Sequence, residues 1–200
     1  TPSAPHRPCL APAFAVDRSQ AGPRGDLVCV VDWLVGEVTD ALDRLGVADN
    51  TLLIVTSDNG ARPYDTDKQT YGHKSCGELR GFKSHIWDGG HREPFVARWP
   101  GEIKPGSVCD QRICLMDMMA TVAEIVGVEL PERAAEDSVS FLPALRGKPH
   151  DRPAMVHHSI NGCFAIREGK WKAIFCRNHG GFPNEPELYG GDQADECPGQ

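Results

Sequence analysis

The sequence predicts an α/β protein from three observations: a helical apolar period, a strand that ends in a polar turn, and a hairpin near the end of the chain. Apolar side chains recur every three or four residues between Asp26 and Leu45, as in a helix with one buried face. The run at 51–56 is rich in Leu, Ile and Val and stops at Ser57-Asp58-Asn59-Gly60, which is typical of a strand buried on both faces. Two strand-like segments flank Glu168-Gly169-Lys170, as in a hairpin.

The apolar pattern also predicts which side chains of each helix face inward. In the first helix these are Leu27, Val31, Leu34, Val38, Ala41 and Leu45, with Gly46 as the stop signal. A second helix is predicted from about Gln111 to Val126, ended by Gly127, with Leu115, Met119, Val122 and Ile125 inward. A short strand is predicted between them at Phe95–Trp99.

Length and charge limit the classes of function. Two hundred residues can bury a sizeable core. The net charge of -7 argues against a nucleic-acid partner, although a bound cation and a single lysine could still attract an anionic substrate. No apolar run reaches the roughly 18 residues of a membrane span. The eight cysteines lack Cys-x-x-Cys spacing, so a zinc cluster is not predicted, and which of them pair stays open.

The polar turn after the predicted strand contains the first candidate site. In open α/β sheets, ligands bind at the carboxyl ends of strands, where Asp58 and Asn59 would offer two adjacent oxygen ligands to a hard cation. A simple turn explains the Asp-Asn-Gly sequence about equally well. Lys83 follows in a glycine-rich loop, and a cation, a lysine and a loop together suggest a site for an oxyanion ester.

Several motifs in a fixed order point to one family. After the strand and its Ser-Asp-Asn-Gly turn come Leu-Arg-Gly-Phe-Lys at 79–83, Asp-Gly-Gly-His-Arg-Glu-Pro at 88–94 and Trp-Pro-Gly at 99–101. This order resembles the sulfatase family of the alkaline phosphatase superfamily, in particular the C-terminal half of an arylsulfatase, from about Pro5 to about Tyr189. The resemblance implies that residues 1–148 form the C-terminal part of an alkaline-phosphatase-like sheet flanked by helices. A small antiparallel β subdomain would follow at 149–200.

The resemblance also implies roles for individual residues. Asp58 and Asn59 would hold a divalent cation, usually Ca²⁺, with Mg²⁺ as the alternative. Lys83 would bind the sulfate and stabilise negative charge on it. His6, in Pro5-His6-Arg7-Pro8, would bind near the leaving-group oxygen and act as general acid. For Arg92 we expect a structural role, bracing the glycine-rich loop.

The family nucleophile, a formylglycine made from Cys or Ser in Cys/Ser-x-Pro-x-Arg, is not predicted in this chain. Ser3-Ala4-Pro5-His6-Arg7 fits the short pattern, but prolines follow where the family motif opens a helix. We therefore expect the nucleophile and an Asp-Asp pair of metal ligands upstream. The chain alone is then expected to be inactive and to bind calcium weakly. Near the end, Glu187-Leu188-Tyr189 resembles another family element, but Gly190-Gly191 departs from it.

The function implied is that of a sulfuric ester hydrolase acting on an aryl sulfate or a sulfated carbohydrate. Three alternatives remain open: a related metal-dependent phosphoesterase, a non-catalytic homologue that binds sulfated glycans, and a truncated product without a function of its own. The resemblance implies an extracytoplasmic address, whether periplasmic, secreted or lysosomal.

Overall fold

The computed structural model describes residues 2–183, and only the backbone at positions 65 and 66. It contains four helices, α1 (Gly22–Arg44), α2 (Asp65–Tyr71), α3 (Met118–Val126) and α4 (Leu142–Leu145), within that range. The five strands there are β1 (Leu53–Thr56), β2 (Phe95–Arg98), β3 (Met155–His158), β4 (Phe164–Glu168) and β5 (Trp171–Ile174). The predicted element at 187–189 lies outside the described residues. None of the described helices has the length and apolar character needed to cross a bilayer.

The strands form two small antiparallel sheets. In the first, β1 pairs with β2, and Thr56 lies opposite Phe95. The end of β1 therefore meets the start of β2, which brings the turn at 57–60 beside the segment at 90–94. The second sheet is the meander β3-β4-β5, and it includes the hairpin predicted around Gly169.

The expectation that β1 is buried on both faces is wrong for the described structure. Its residues Leu53, Ile54 and Val55 are only half-buried, and Thr56 is exposed. The physical reason is that the only described strand paired with β1 is β2, and the pairing is antiparallel. A run of Leu, Ile and Val shows that a strand forms, but it does not determine how many neighbours cover it.

The helices differ from the prediction in their bounds and in the residues they bury. Val38 and Leu45 of the predicted inward face are exposed, as are Met119 and Val122 of the second helix. That helix begins at Met118 rather than near Gln111, because the side chain of Gln111 bonds the backbone of the segment at 148–150 instead. Gly127 ends α3 in the left-handed conformation, as predicted.

Four glycines pack the backbone of three segments together around the turn after β1. The Gly60 amide donates to the Gly90 carbonyl at 3.0 Å, and the Gly89 amide donates to the Arg80 carbonyl at 2.8 Å. A Cβ on Gly60 would overlap the Gly89 carbonyl oxygen, and a Cβ on Gly89 would overlap that of Gly81. No side chain fits between these segments, so they depend on glycine for their approach.

A charged cluster joins the glycine-rich loop to the second sheet. Asp88 accepts bonds from Arg167 Nη2 at 2.6 and 2.8 Å and from Lys172 Nζ at 2.9 Å. Lys172 also donates to the Ile86 carbonyl at 2.6 Å. Burial by itself would raise the pKa of the Asp88 carboxyl, but the two cations outweigh it and hold the pKa below its ordinary value.

Two histidines lie beside this cluster and are neutral in the folded state. The rings of His91 and His157 are 4.6 Å apart between centroids. Burial, and after it the charge of Lys172, lowers the pKa of each to about 4. Among the described residues, Nε2 of His91 and both ring nitrogens of His157 are buried without a hydrogen-bond partner. Protonation of either ring would therefore place a charge in a buried site next to Lys172, and the nearby charge of Asp88 offsets this cost only in part.

The backbone packing predicts a large cost for one added methyl group. We expect Gly89→Ala to lower the free energy of unfolding by about 3 kcal/mol, because the new Cβ would meet backbone that cannot rotate away. Gly36→Ala is the matched control, since a Cβ there has open space within α1 and should stabilise by about 0.5–1 kcal/mol. Urea denaturation measures both, and equal stability of the two variants would contradict the packing argument.

The histidine pair predicts a loss of stability in mild acid. The unfolded chain takes up protons near pH 6.5, whereas folded His91 and His157 resist protonation down to about pH 4. The free energy of unfolding should therefore fall as pH drops from about 6.5 to 4. The Asp88 contribution is lost only at lower pH, since its pKa is lowered. In urea titrations at pH 7 and 5, His157→Gln should reduce the difference, whereas the exposed control His73→Gln should not. An unchanged difference in His157→Gln would contradict this assignment.

Candidate functional site

The turn that follows β1 presents its polar side chains at one edge of the first sheet. Asp58 is exposed, and Asn59 is half-buried. The Gly60 amide bond to Gly90 fixes the end of the turn, and the Ser57 hydroxyl lies 3.4 Å from Asp58 Oδ1. The two predicted ligands are thus adjacent on a braced turn, with the Asp58 carboxylate open to solvent.

Glu93 is a further acidic residue in this region. In the sequence it stands out only as part of the motif at 88–94. It is half-buried just before β2, which pairs with β1. Burial raises the pKa of its carboxyl, and the nearby charge of Asp58 raises it further. The coupling of two carboxyl groups at this edge creates a negative potential that favours a bound cation. In the sequence, the feature that could have drawn attention to Glu93 was its position just before the strand that pairs with β1.

Lys83 lies alongside the same turn. Its backbone amide donates to the Ala61 carbonyl at 2.8 Å, one residue beyond Gly60. The preceding Phe82 is fully buried and anchors the segment, and Gly81 adopts a positive φ of 74° that lets the chain turn toward the site. The structure therefore brings the backbone of Lys83 together with the turn that carries Asp58 and Asn59, and its side chain is half-exposed.

The segment that contains His6 contacts the chain after the polar turn through Arg7. The guanidinium of Arg7 lies 3.6 Å from the ring centroid of Tyr64, and that of Arg24 lies 4.0 Å from it. Arg24 also pairs with the buried Asp67 at 2.9 Å. These contacts hold the segment of His6 against the chain that follows the polar turn. His6 itself is exposed, and its Nδ1 lies 2.8 Å from the Arg7 carbonyl.

The other residues that the sequence singled out take different places. Arg92 is exposed, with its amide bonded to the Asp88 carbonyl. His85 is fully buried, and its ring stacks on that of His179 at 4.3 Å. His158 lies in β3. Of these three, His85 has the surroundings of a structural residue, whereas the roles of Arg92 and His158 stay predictions.

Two cysteines that have an arginine four residues later are unsuited to nucleophilic attack. Burial raises the pKa of the Cys76 thiol to about 11, although the charge of Arg24 opposes this, so the thiol stays protonated at neutral pH. Cys163 forms a disulfide with Cys176. This is consistent with the expectation that the nucleophile is not one of these residues.

The oxygen ligands at the turn are of the type that a hard cation binds, but there are too few of them to hold the cation alone. Asp58 and Asn59 offer a carboxylate and an amide oxygen, which are ligands that calcium and magnesium accept. Calcium takes six to eight oxygens, and residues 2–183 contain no group of three or more His, Cys, Asp or Glu side chains arranged to hold a metal. Further ligands would have to come from elsewhere.

Comparison with known proteins places this geometry in a family. The sulfatase family model matches residues 3–128. An N-acetylgalactosamine-6-O-sulfatase of Bacteroides thetaiotaomicron is 38% identical over 181 residues, covering 86% of this chain and 34% of that protein. A steryl-sulfatase of Mus musculus is 43% identical over 173 residues, covering 82% of this chain and 27% of that protein.

A solved structure agrees with the sequence matches. It was determined in work on the metabolism of multiple glycosaminoglycans by Bacteroides thetaiotaomicron, and it superposes with a TM-score of 0.77 at 35% identity. The match covers 85% of this chain and 36% of the solved chain. The chain therefore spans about a third of the length of the proteins it matches. The predicted α/β fold and the resemblance are confirmed, whereas the boundary at 148/149 and the roles of individual residues stay predictions.

Proposed function

We propose that this chain, which belongs to the sulfatase family, forms the C-terminal part of the catalytic domain of a sulfuric ester hydrolase. The observation that carries the proposal is the bond between the Lys83 amide and the Ala61 carbonyl. It puts a lysine beside a turn with two oxygen ligands, in a region where Asp58 and Glu93 favour a cation. A cation and a lysine next to each other are suited to an anion with several terminal oxygens, such as a sulfate ester.

Asp58 and Asn59 are the residues that would hold the cation, Ca²⁺ or alternatively Mg²⁺. When bound, the cation supplies positive charge that polarises the sulfate ester. Asp58 is open to solvent and Asn59 half-buried on a turn whose end is fixed by Gly60, so their oxygens require little reorganisation to bind. The resemblance implies that a formylglycine outside this chain supplies the attacking oxygen.

Lys83 would bind the sulfate and stabilise charge as the S–O bond breaks. Its ammonium is a compact point charge on a stem that starts from a buried, hydrogen-bonded segment. Negative charge grows on the transferring group and on the leaving oxygen, and a fixed cation next to both lowers the barrier.

His6 would donate the proton to the departing alcohol. The Arg7 carbonyl can only accept, so the contact with it assigns the proton of neutral His6 to Nδ1. Nε2 is then the nitrogen that is free to carry the proton that a general acid delivers to the leaving oxygen. The stacking of Arg7 and Arg24 on Tyr64 would keep His6 near the site.

The relatives narrow the range of substrates to test. Two of them are named for N-acetylgalactosamine 6-sulfate and for steryl sulfates, so a sulfated carbohydrate or another organic sulfate is the substrate class we propose. The disulfide between Cys163 and Cys176 supports an extracytoplasmic, oxidising location.

Removal of the Lys83 charge should abolish most turnover. In the protein produced from the complete reading frame, we expect Lys83→Ala to lower kcat roughly 10²–10³-fold on sulfate esters. Lys74→Ala is the matched control, because Lys74 is exposed and its ion pair with Glu78, at 3.8 Å, is exposed as well. Sulfate and phosphate esters of one alcohol should be compared, since preference for the phosphate would favour the phosphoesterase alternative. An upstream frame without Cys/Ser-x-Pro-x-Arg, in a protein that still binds sulfated glycans, would favour the non-catalytic homologue.

Loss of His6 should matter most when the leaving group is poor. We expect His6→Ala to slow hydrolysis of an alkyl or sugar sulfate by about 10²-fold or more, because the alkoxide needs a proton. Hydrolysis of 4-nitrophenyl sulfate should slow much less, since its leaving group is stable as an anion. His73→Ala, at an exposed position, controls for the loss of an imidazole. An equal effect on both substrates would contradict the role of general acid.

A further inference from the structure

A cleft lies at the end of the second sheet, outside the groups assigned above. Two loops, at 159–163 and 175–183, enclose about 620 Å³. The disulfide between Cys163 and Cys176 ties the two loops together. The lining of the cleft includes Asn161, Phe175, Asn178 and Gly181.

Hydrogen bonds between and within the loops hold the cleft in shape. Asn161 Nδ2 donates to the Gly181 carbonyl across the gap. The Gly180 amide donates to Asn178 Oδ1 at 3.0 Å, and the Gly181 amide donates to His179 Nδ1 at 2.9 Å. A site that is already bonded in this way would lose little conformational entropy on binding a ligand.

The cleft is attached directly to the segment that follows Lys83. The Ile160 amide donates to the Ser84 carbonyl at 3.0 Å, and the Ile86 amide donates to the His179 carbonyl at 2.8 Å. Both loops are therefore bonded to the residues next to Lys83. A substrate whose sulfate lies at Lys83 could extend its organic part toward this cleft.

The lining has the chemistry of a carbohydrate site. A carboxamide offers two donors and one acceptor, so Oδ1 of Asn161 and the side-chain amide hydrogens of Asn178 can bond hydroxyl groups. The Phe175 ring is 69% exposed, and its electron-rich face suits the C–H face of a sugar ring. No Asp, Glu, Lys or Arg is among the described lining residues, which disfavours a second anion, and the lining exposes more polar than apolar surface, which disfavours a steroid.

We propose that this cleft binds the saccharide ring that carries the sulfate ester, with Asn161 and Asn178 bonding its hydroxyl groups and Phe175 contacting its apolar face. The inference rests on the proposed function, because it places the sulfate itself at Lys83. It identifies the substrate as a sulfated carbohydrate and the two loops as determinants of specificity.

Nuclear magnetic resonance titrations of the protein produced from the complete reading frame, with Ca²⁺ present and any upstream Cys or Ser nucleophile replaced by Ala to prevent turnover, would separate the two sites. The amides of Asn59 and Lys83 report on the sulfate site, and those of Gly180 and Gly181 report on the cleft. We expect N-acetylgalactosamine 6-sulfate to shift both pairs, 4-nitrophenyl sulfate only the first, and N-acetylgalactosamine only the second. If the sugar sulfate shifts only the first pair, the cleft proposal is overturned and the proposed function stands. If neither sulfate shifts the first pair, the proposed function fails, whereas shifts in the cleft by the free sugar would still support sugar binding.

A pair of exposed aromatic residues provides matched variants for the same titration. Phe175 and Trp171 lie on one face of the β5 segment and are 69% and 70% exposed, but only Phe175 lines the cleft. We expect Phe175→Ala to weaken binding of the sugar about threefold to tenfold, and Trp171→Ala to leave it unchanged. Equal losses in the two variants, or none in either, would overturn the assignment of the cleft. Thermal unfolding of both variants verifies that the fold is retained.

Discussion

The close approach of backbone at Gly60, Gly81, Gly89 and Gly90 is the constraint on which the candidate site depends. Because no Cβ separates these segments, the turn after β1, the segment before Lys83 and the loop after Trp87 contact one another through main-chain atoms. Main-chain positions vary much less than side-chain rotamers. The relative placement of the turn and the lysine is therefore determined by the packing of the main chain.

The second sheet is held to this arrangement by charge and by aromatic stacking. Asp88 bonds two cations from β4 and β5, and the ring of His179 stacks on that of His85. The charged groups are partly buried, so each carries a cost of desolvation that only its partners offset. Removal of Asp88 would leave Arg167 and Lys172 close together without a counter-charge. The ion cluster thus makes the orientation of the sheet specific, while the apolar contacts of Ile86 and Ala165 in the core stabilise it.

Local signals in the sequence predicted a good part of this structure, and they failed where distant residues decide. The turn at 57–60 and the helix end at Gly127 follow from the residues at those positions, and both were predicted. The late start of α3 was not, because it depends on distant residues: Gln111 bonds the segment at 148–150, and buried Asp117 bonds Arg152, 35 positions along the chain, at 2.8 and 3.0 Å. The exposure of Met119 has the same kind of origin: Thr121 faces inward to bond the Phe141 amide, which turns the apolar positions outward. Periodicity specifies a helix but not the surface against which it packs.

The site, too, combines features that local sequence signals predicted with features that depend on distant residues. The motif order pointed to Asp58, Asn59 and Lys83, and the structure brings the turn and the lysine segment together, but their roles need the experiments above. The cleft between Asn161 and Asn178 had no signal in the sequence, since these two residues lie 17 positions apart and their loops meet through the disulfide and the bonds from Asn161 to Gly180 and Gly181. Both features meet at the segment 81–90, which bonds the turn through Lys83 and the cleft through Ser84 and Ile86. A displacement of that segment would change the position of the lysine and the shape of the cleft together. Sulfate binding and recognition of the organic part of a substrate are therefore expected to be coupled in this protein.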